Sequence, residues 1–404
     1  MAPAVSTYLY LRRGLYFFYS GVLLMTTVTH AARRQFLQRA AFSCLAASAP
    51  YSTFAQSTAG ATSATTERAF APQVGPWRSF DVTVRVDLAA THDANRLWLP
   101  LPSINGDWQQ SSNHRFTSNG QASVQTLPQG VSVLSVQFDK AQDARFAEVT
   151  STVKTLNRNT DWTANGKASA VDAGLLKTWT APSRWLPTDG IVRQTALQAT
   201  KGVQTDVEKV QKLYDWIIAN TFREPKVRGC GEGDIKTMLE TGNLSGKCAD
   251  LNALFVGLCR AAGVPARDVY GLRLAPSAFP YKELGGNSGN LKGAQHCRAE
   301  VYLAGFGWVA MDPADVTKVM RQETADWIKN ADHPVVAPVK KALFGSWEGN
   351  WMAYNTAHDV ALPGSNQGAV PFMMYPVAEG VAGRVDSYAP DAFKYQISAV
   401  ESKA

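Results

Sequence analysis

Residues 246–265, which read Gly-Lys-Cys-Ala-Asp-Leu-Asn-Ala-Leu-Phe-Val-Gly-Leu-Cys-Arg-Ala-Ala-Gly-Val-Pro, constrain the fold more tightly than any other stretch. Leu251, Leu254, Phe255, Leu258 and Ala262 recur at helical spacing. Gly263 followed by Pro265 is a strong stop signal, so the stretch predicts one helix of about fifteen residues. Cys248 then lies in the first turn, where unpaired N–H groups and the helix dipole favour an anion and ease formation of a thiolate. The same N–H groups can serve as part of an oxyanion hole. A cysteine that merely packs is the ordinary alternative. Cys259 reads that way, because it lies near the angle of Leu251 and Phe255. It cannot bridge to Cys248, since eleven helical residues span about 16 Å and a disulfide needs Cα atoms within about 7 Å.

A second element follows. His296-Cys297-Arg298-Ala299-Glu300-Val301-Tyr302-Leu303 alternates at period two, placing Cys297, Ala299, Val301 and Leu303 on one face and His296, Arg298, Glu300 and Tyr302 on the other. The run Ala304-Gly305-Phe306-Gly307 predicts a turn, and Trp308 to Asp312 predicts a returning strand that carries Asp312 toward the His296 end. A thiol nucleophile needs a base that takes its proton and returns it to the leaving group, and that base needs an acceptor to hold its tautomer. Cys248, His296 and Asp312 can fill these three roles. Asp315 competes with Asp312 for the third, because spacing alone leaves the hairpin register open.

Taken together, Gly-x-Cys-x-Asp opening a helix that ends Arg-Ala-Ala-Gly-Val-Pro-Ala-Arg (260–267), and His-x-x-x-Glu-Val-Tyr-Leu-x-Gly-x-Gly-Trp-Val-x-x-Asp-Pro (296–313), resemble the transglutaminase-like superfamily. The resemblance covers roughly 205–320. It implies a papain-like α+β thiol fold, with a helix packed on an antiparallel sheet. It further implies Cys248 as nucleophile, His296 as general base and acid, and Asp312 as the residue that orients the imidazole. Asp250 matches the family's second acidic position, where a structural role at the helix start and a catalytic one are both open. Trp308 matches a tryptophan expected to pack beside the His–Asp pair. The family's upstream oxyanion donor has no clear counterpart: Trp216 and Phe222 lie in the right region, and neither stands out. No Asp/Glu cluster resembles the calcium sites of animal transglutaminases, so no cofactor is implied.

The remainder divides by texture. Phe80, Val82, Val84, Val86 and Leu88 alternate with polar residues, as do parts of 131–138 and 146–153, and predict a β-rich domain over 77–155 ahead of a catalytic core over 190–325. Leu97-Trp98-Leu99-Pro100-Leu101-Pro102 predicts an apolar strand closed by prolines. Val207, Val210, Leu213, Tyr214, Ile217 and Ile218 predict a helix starting near Asp206. Residues 326–404 are expected to wrap the core.

The chain's formal charge of +7 suggests a nucleic-acid or membrane partner only until its distribution is read. Arg12, Arg13, Arg33, Arg34 and Arg39 lie within residues 1–55, which contain no acidic residue, and the rest is nearly neutral. Arg33-Arg34-Gln35-Phe36-Leu37, then the apolar Ala40–Ala49 and a small residue at Ala55, predict a twin-arginine-like export signal cleaved after Ala55. Residues 1–24 can be untranslated upstream sequence if Met25 is the start. A Ser/Thr/Ala/Gln linker over 56–76 follows. The expected product is a periplasmic or extracellular enzyme acting on peptide or protein amides, with no nucleic-acid partner and no stable membrane insertion. A peptide- or cell-wall-binding module that keeps the fold is the competing expectation.

Gly229-Cys230-Gly231-Glu232-Gly233-Asp234 lacks the spacing of a phosphate loop and reads as a loop at the site's rim. Cys230, Cys259 and Cys297 have no C-x-x-C pairing, so no metal site is expected, and with Cys248 free they allow one disulfide at most. His358-Asp359, beside Trp347 and Trp351, reads as structural.

Overall fold

The computed structural model describes residues 68–402 apart from 89–92, 140–143, 165–170 and 390–392. The expected signal peptide, its cleavage point and linker residues 56–67 lie outside the described residues. Residues 64–404 form one compact unit. No helix among the described residues is long and apolar enough to cross a membrane.

The fold is α+β, with a β-rich N-terminal region ahead of a helix-and-sheet core. Strand Arg78–Leu88 buries Phe80, Val82, Val84, Val86 and Leu88, as its alternation requires. It lies between Arg145–Thr155 and the C-terminal strand Phe393–Ser402, with Gln109–Ser118 completing an antiparallel four-stranded sheet. A second sheet orders Gly383–Arg384, Val377–Gly380, Arg96–Leu101, Ser132–Gln137 and Gln121–Thr126. Along strand Arg96–Leu101, Val377–Gly380 reaches only Arg96–Trp98, so Pro100 sits beyond that partner, where its missing N–H costs no ladder bond on that side. Thus residues 377–380 and 393–402, remote in sequence, complete the sheets begun by residues 78–155.

The core sheet runs Gly307–Met311, Gln295–Leu303, Ala266–Arg273 and Trp351–Asn355, all antiparallel. Helix Cys248–Ala261 packs against it and is buried at every residue, not on one stripe. Its small residues make that possible: a Cβ at Gly257 would collide with Ile235. Helix Asp206–Asn220 starts at Asp206, where the apolar spacing predicts it. Thr205 is the cap, its hydroxyl accepting from the Glu208 N–H and its own N–H donating to the Glu208 carboxylate. Strand Gln295–Leu303 is also buried on both faces, because Arg298 lies over Trp351 and Trp347 and Glu300 is held by Arg158 and Arg267.

Candidate active site

Helix Cys248–Ala261 begins at a junction of two chain segments. The Asp250 carboxylate accepts from the N–H of Lys247 at 2.9 Å and from those of Glu232 and Gly233 at 3.0 Å each. Burial raises its pKa, and the three backbone donors work against that rise. Asp250 is therefore fully engaged in pinning the 229–234 loop to the helix start. Gly231 has φ +89°, and a Cβ there would run into the Asp250 carboxylate, so only glycine fits. The carbonyl of Cys230 accepts from the Ala249 N–H at 2.9 Å. This loop is not at the rim of the site; it brings the Cys230 thiol to the Cys248 thiol.

His296 and Asp312 come from adjacent strands. The register pairs Ala299 with Met311, which returns Asp312 toward the start of Gln295–Leu303. His296 Nε2 is 2.7 Å from Asp312 Oδ2 and 3.3 Å from Asp315 Oδ2. Both carboxylates thus meet one nitrogen. They differ in their other partners: Asp315 is held by Arg273 at 2.6 and 2.7 Å, while Asp312 accepts from Asn252 Nδ2 at 3.2 Å and lies 3.6 Å from Arg298 Nε. Asp312 also caps helix Pro313–Gln322 through the Asp315 N–H.

The charges are buried together, so their effects are large. Burial and Arg273 disfavour the imidazolium, but Asp315 and Asp312 outweigh them and raise His296 to about 9. Burial, then Asp315, pushes the Asp312 carboxyl up, whereas for Asp315 burial is overcome by Arg273 and His296, which hold it well below the usual range. Burial lowers Arg298 to about 10. For Cys248, burial alone would raise the thiol; hydrogen bonds from Cys230, Cys297 and His296 and the charge on His296 bring it well below an ordinary cysteine. Two arginines offset two aspartates, so a proton can pass between thiol and imidazole without changing the net charge of these groups.

Trp308 lies elsewhere. It pairs across from Tyr302, packs edge-on to Tyr302 and Trp179, and carries Arg267 at 3.9 Å over its ring. Four extended residues, about 13 Å, separate it from Asp312. Trp351 and Trp347 occupy the place expected for it: Trp351 Nε1 donates to the His296 carbonyl at 3.0 Å and Trp347 Nε1 to the Met311 carbonyl at 3.2 Å. Nothing in their sequence spacing signals this. The Phe222 ring is exposed and packs on Trp327, although strand Phe222–Arg223 runs beside Ser245–Gly246, just before Cys248; Trp216 packs against the core. His358 pairs with Asp268 at 3.1 Å rather than with Asp359, which accepts from the Arg184 N–H.

Asn252 is a residue that sequence reading missed. It is fully buried, donating to the Cys297 carbonyl at 2.8 Å as well as to Asp312, and accepting from the Ala314 N–H. Its position one helical turn after Cys248 was the available signal. Arg273 and Arg298 had none, since a charged residue within a strand pattern reads as solvent-facing.

The site is closed over. Cys248 is 2% exposed. The Tyr375 hydroxyl donates to Cys230 Sγ at 3.1 Å, Met374 Sδ lies 4.0 Å from Cys297 Sγ, and Tyr388 packs edge-on to Tyr375. A surface cavity bounded by Trp108, Arg158, Phe306 and Trp308 lies elsewhere, lined by none of Cys248, His296 and Asp312. Cys230, Cys248, Cys259 and Cys297 are all free thiols.

Comparison with known proteins places this geometry in context. Residues 193–313 match the model of the Transglutaminase-like superfamily. An uncharacterized protein of Haemophilus influenzae is 34% identical over 325 residues, a stretch covering 74% of this chain and 84% of that protein. Among solved structures, a “Putative Cysteine Protease” from Cytophaga hutchinsonii superposes with a TM-score of 0.50 at 15% identity, covering 82% of this chain and 93% of that one. At that identity the likeness is one of fold.

Proposed function

We propose, from the match of residues 193–313 to the Transglutaminase-like superfamily, that this chain is a thiol enzyme acting on amide bonds of peptides or proteins. In this reading Cys248 is the nucleophile, His296 the general base and acid, and Asp312 the residue that fixes the ring. The observation that carries it is the 2.7 Å contact of His296 Nε2 with Asp312, which leaves Nδ1 as the ring nitrogen for the thiol beside it. Such a pair forms thiolate and imidazolium at neutral pH.

The thiolate adds to the amide carbonyl carbon. The backbone N–H of Cys248 at the helix start serves the oxyanion in this reading, those of Lys247 and Ala249 being held by Asp250 and the Cys230 carbonyl. As the C–N bond breaks, His296 gives its proton to the departing amine, leaving a thioester on Cys248. A second acceptor, activated by the now neutral His296, then releases the acyl group. We assign that acceptor as water, and the reaction as hydrolysis, because a thioester on a sulfur this buried is reached by water more readily than by a lysine side chain. Substrate entry requires the cover formed by Met374, Tyr375 and Tyr388 to shift. We read residues 1–55 as the export address of this enzyme, with the mature chain beginning after Ala55; N-terminal sequencing of the secreted product tests that.

Iodoacetamide labelling tests the function. Selective alkylation of Cys248 with a pH profile well below that of a free thiol, and peptidase or amidase activity lost in Cys248→Ala, are the expected results. A folded protein whose Cys248 is inert would overturn the reading and favour a binding module.

A further inference from the structure

Three thiols meet at the helix start. Cys230, Cys248 and Cys297 come from a glycine-rich loop, a helix and a strand, and their Sγ atoms all lie within 4.8 Å of one another. All three are buried, at 4%, 2% and 0% exposure, and none is in a disulfide. The hydrolytic cycle needs one of them. The other two face neutral neighbours: the Cys230 thiol donates to the Gln295 carbonyl at 3.2 Å and accepts from Tyr375, and Cys297 Sγ has the thioether of Met374 at 4.0 Å.

We propose that Cys230, Cys248 and Cys297 form a three-sulfur site for a soft d10 cation of the zinc, cadmium or copper(I) class. Metal–sulfur bonds of about 2.3 Å put sulfurs on a shared ion about 3.8 Å apart, so closure asks for movements of under about 1 Å. Thiolates select such ions over magnesium or calcium, and the Met374 sulfur adds a fourth soft atom at the edge of the cluster. Binding is balanced without redox: the S–H protons of Cys230 and Cys297 leave to solvent and the Cys248 thiolate binds directly, as three S–metal bonds form. The neighbouring His296, Asp312 and Asp315 group is the poorer site, because the Arg273 and Arg298 guanidinium groups already occupy its carboxylates. The sulfur site stands whether or not Cys248 is the nucleophile. If it is, the ion occupies the attacking atom and shuts off the enzyme reversibly.

The test titrates the reduced protein with Cd2+ alone and follows the thiolate-to-cadmium charge-transfer band, with Mg2+ as control. One ion per chain is expected, with the band strength of three thiolates. Cys230→Ala and Cys297→Ala should each remove a third of the band and weaken binding at least about tenfold. A band of one thiolate or none, or a band that neither substitution changes, overturns the site. X-ray absorption at the cadmium edge of the unsubstituted protein gives the same count should a variant fail to fold: three sulfurs support the site, and an oxygen and nitrogen shell refutes it. Because neither readout is enzymatic, failure here is separable from failure of the proposed hydrolysis.

Discussion

Asp312→Asn changes a single atom and a single charge, yet every neighbour of that carboxylate is a donor. Oδ2 receives His296 Nε2 at 2.7 Å and lies 3.6 Å from Arg298, while Oδ1 receives Asn252 Nδ2 at 3.2 Å and the Asp315 N–H at 3.1 Å. An amide has one oxygen to offer. Asparagine caps helices as well as aspartate does, so the helix Pro313–Gln322 and the fold are expected to survive with the oxygen kept on the cap. The amide NH2 then faces His296 Nε2, which must become an acceptor. The ring proton moves to Nδ1, the side of the thiol, and the ring can no longer take the thiol's proton. Loss of the charge acts in the same direction. A unit charge at about 4 Å in an effective dielectric near 20 is worth about 4 kcal/mol, or about three pKa units. That lowers His296 from about 9 toward the ordinary imidazole range. The thiol–imidazole form then dominates at pH 7. Alkylation of Cys248 by iodoacetamide should slow by about 10²–10³-fold, and amide turnover should fall by up to about 10⁴. Mass spectrometry of the alkylated peptide across pH, with circular dichroism to verify folding, makes the measurement. A folded variant alkylated at the unsubstituted rate with an unchanged profile refutes the assignment, and loss confined to Asp315→Asn would transfer the orienting role to Asp315.

Other expectations follow from the same contacts. The kcat/KM profile for amide turnover should have an acid limb below the ordinary cysteine range, where the thiolate is protonated, and an alkaline limb near pH 9, where His296 loses the proton it must give the leaving amine. An alkaline limb that persists in His296→Gln would show that another group sets it. Asn252→Ala strands the Cys297 carbonyl and the Ala314 N–H in the core, and urea unfolding should register a loss of about 2–4 kcal/mol. A midpoint unchanged in that variant would mean that water replaces the side chain. Trp351→Phe removes the bond to the His296 carbonyl and should lower turnover more than Trp308→Phe, whose position is four extended residues, about 13 Å along the strand, from Asp312. The reverse order, measured on one amide substrate, would restore Trp308 to the site.

Much of the site was legible in local sequence because its parts are local devices. A helix that begins at Cys248 and stops just before Gly263, and a hairpin whose turn returns Asp312 toward His296, follow from stop signals and period-two alternation, each readable within twenty residues. Asp250, Trp308 and the 229–234 loop illustrate the limit. Their residue types are compatible with several partners, and only distance decides: Asp250 is spent on backbone donors, Trp308 is with Arg267, and the loop meets the helix start.

By itself the sequence determined where an anionic thiol can form, which residues can serve it as base and orienter, and that most of the net positive charge belongs to the first 55 residues. The tertiary structure decided the rest. It set Asp312 and Asp315 on one nitrogen, neutralised them with Arg273 and Arg298, brought Cys230 and Cys297 to Cys248, and completed the N-terminal sheets with strands from residues 377–402. The reason is physical. Helix starts, turns and strand faces are set by near neighbours along the chain, whereas the field at a buried thiol is the sum over charges and sulfurs that only packing brings within a few ångströms.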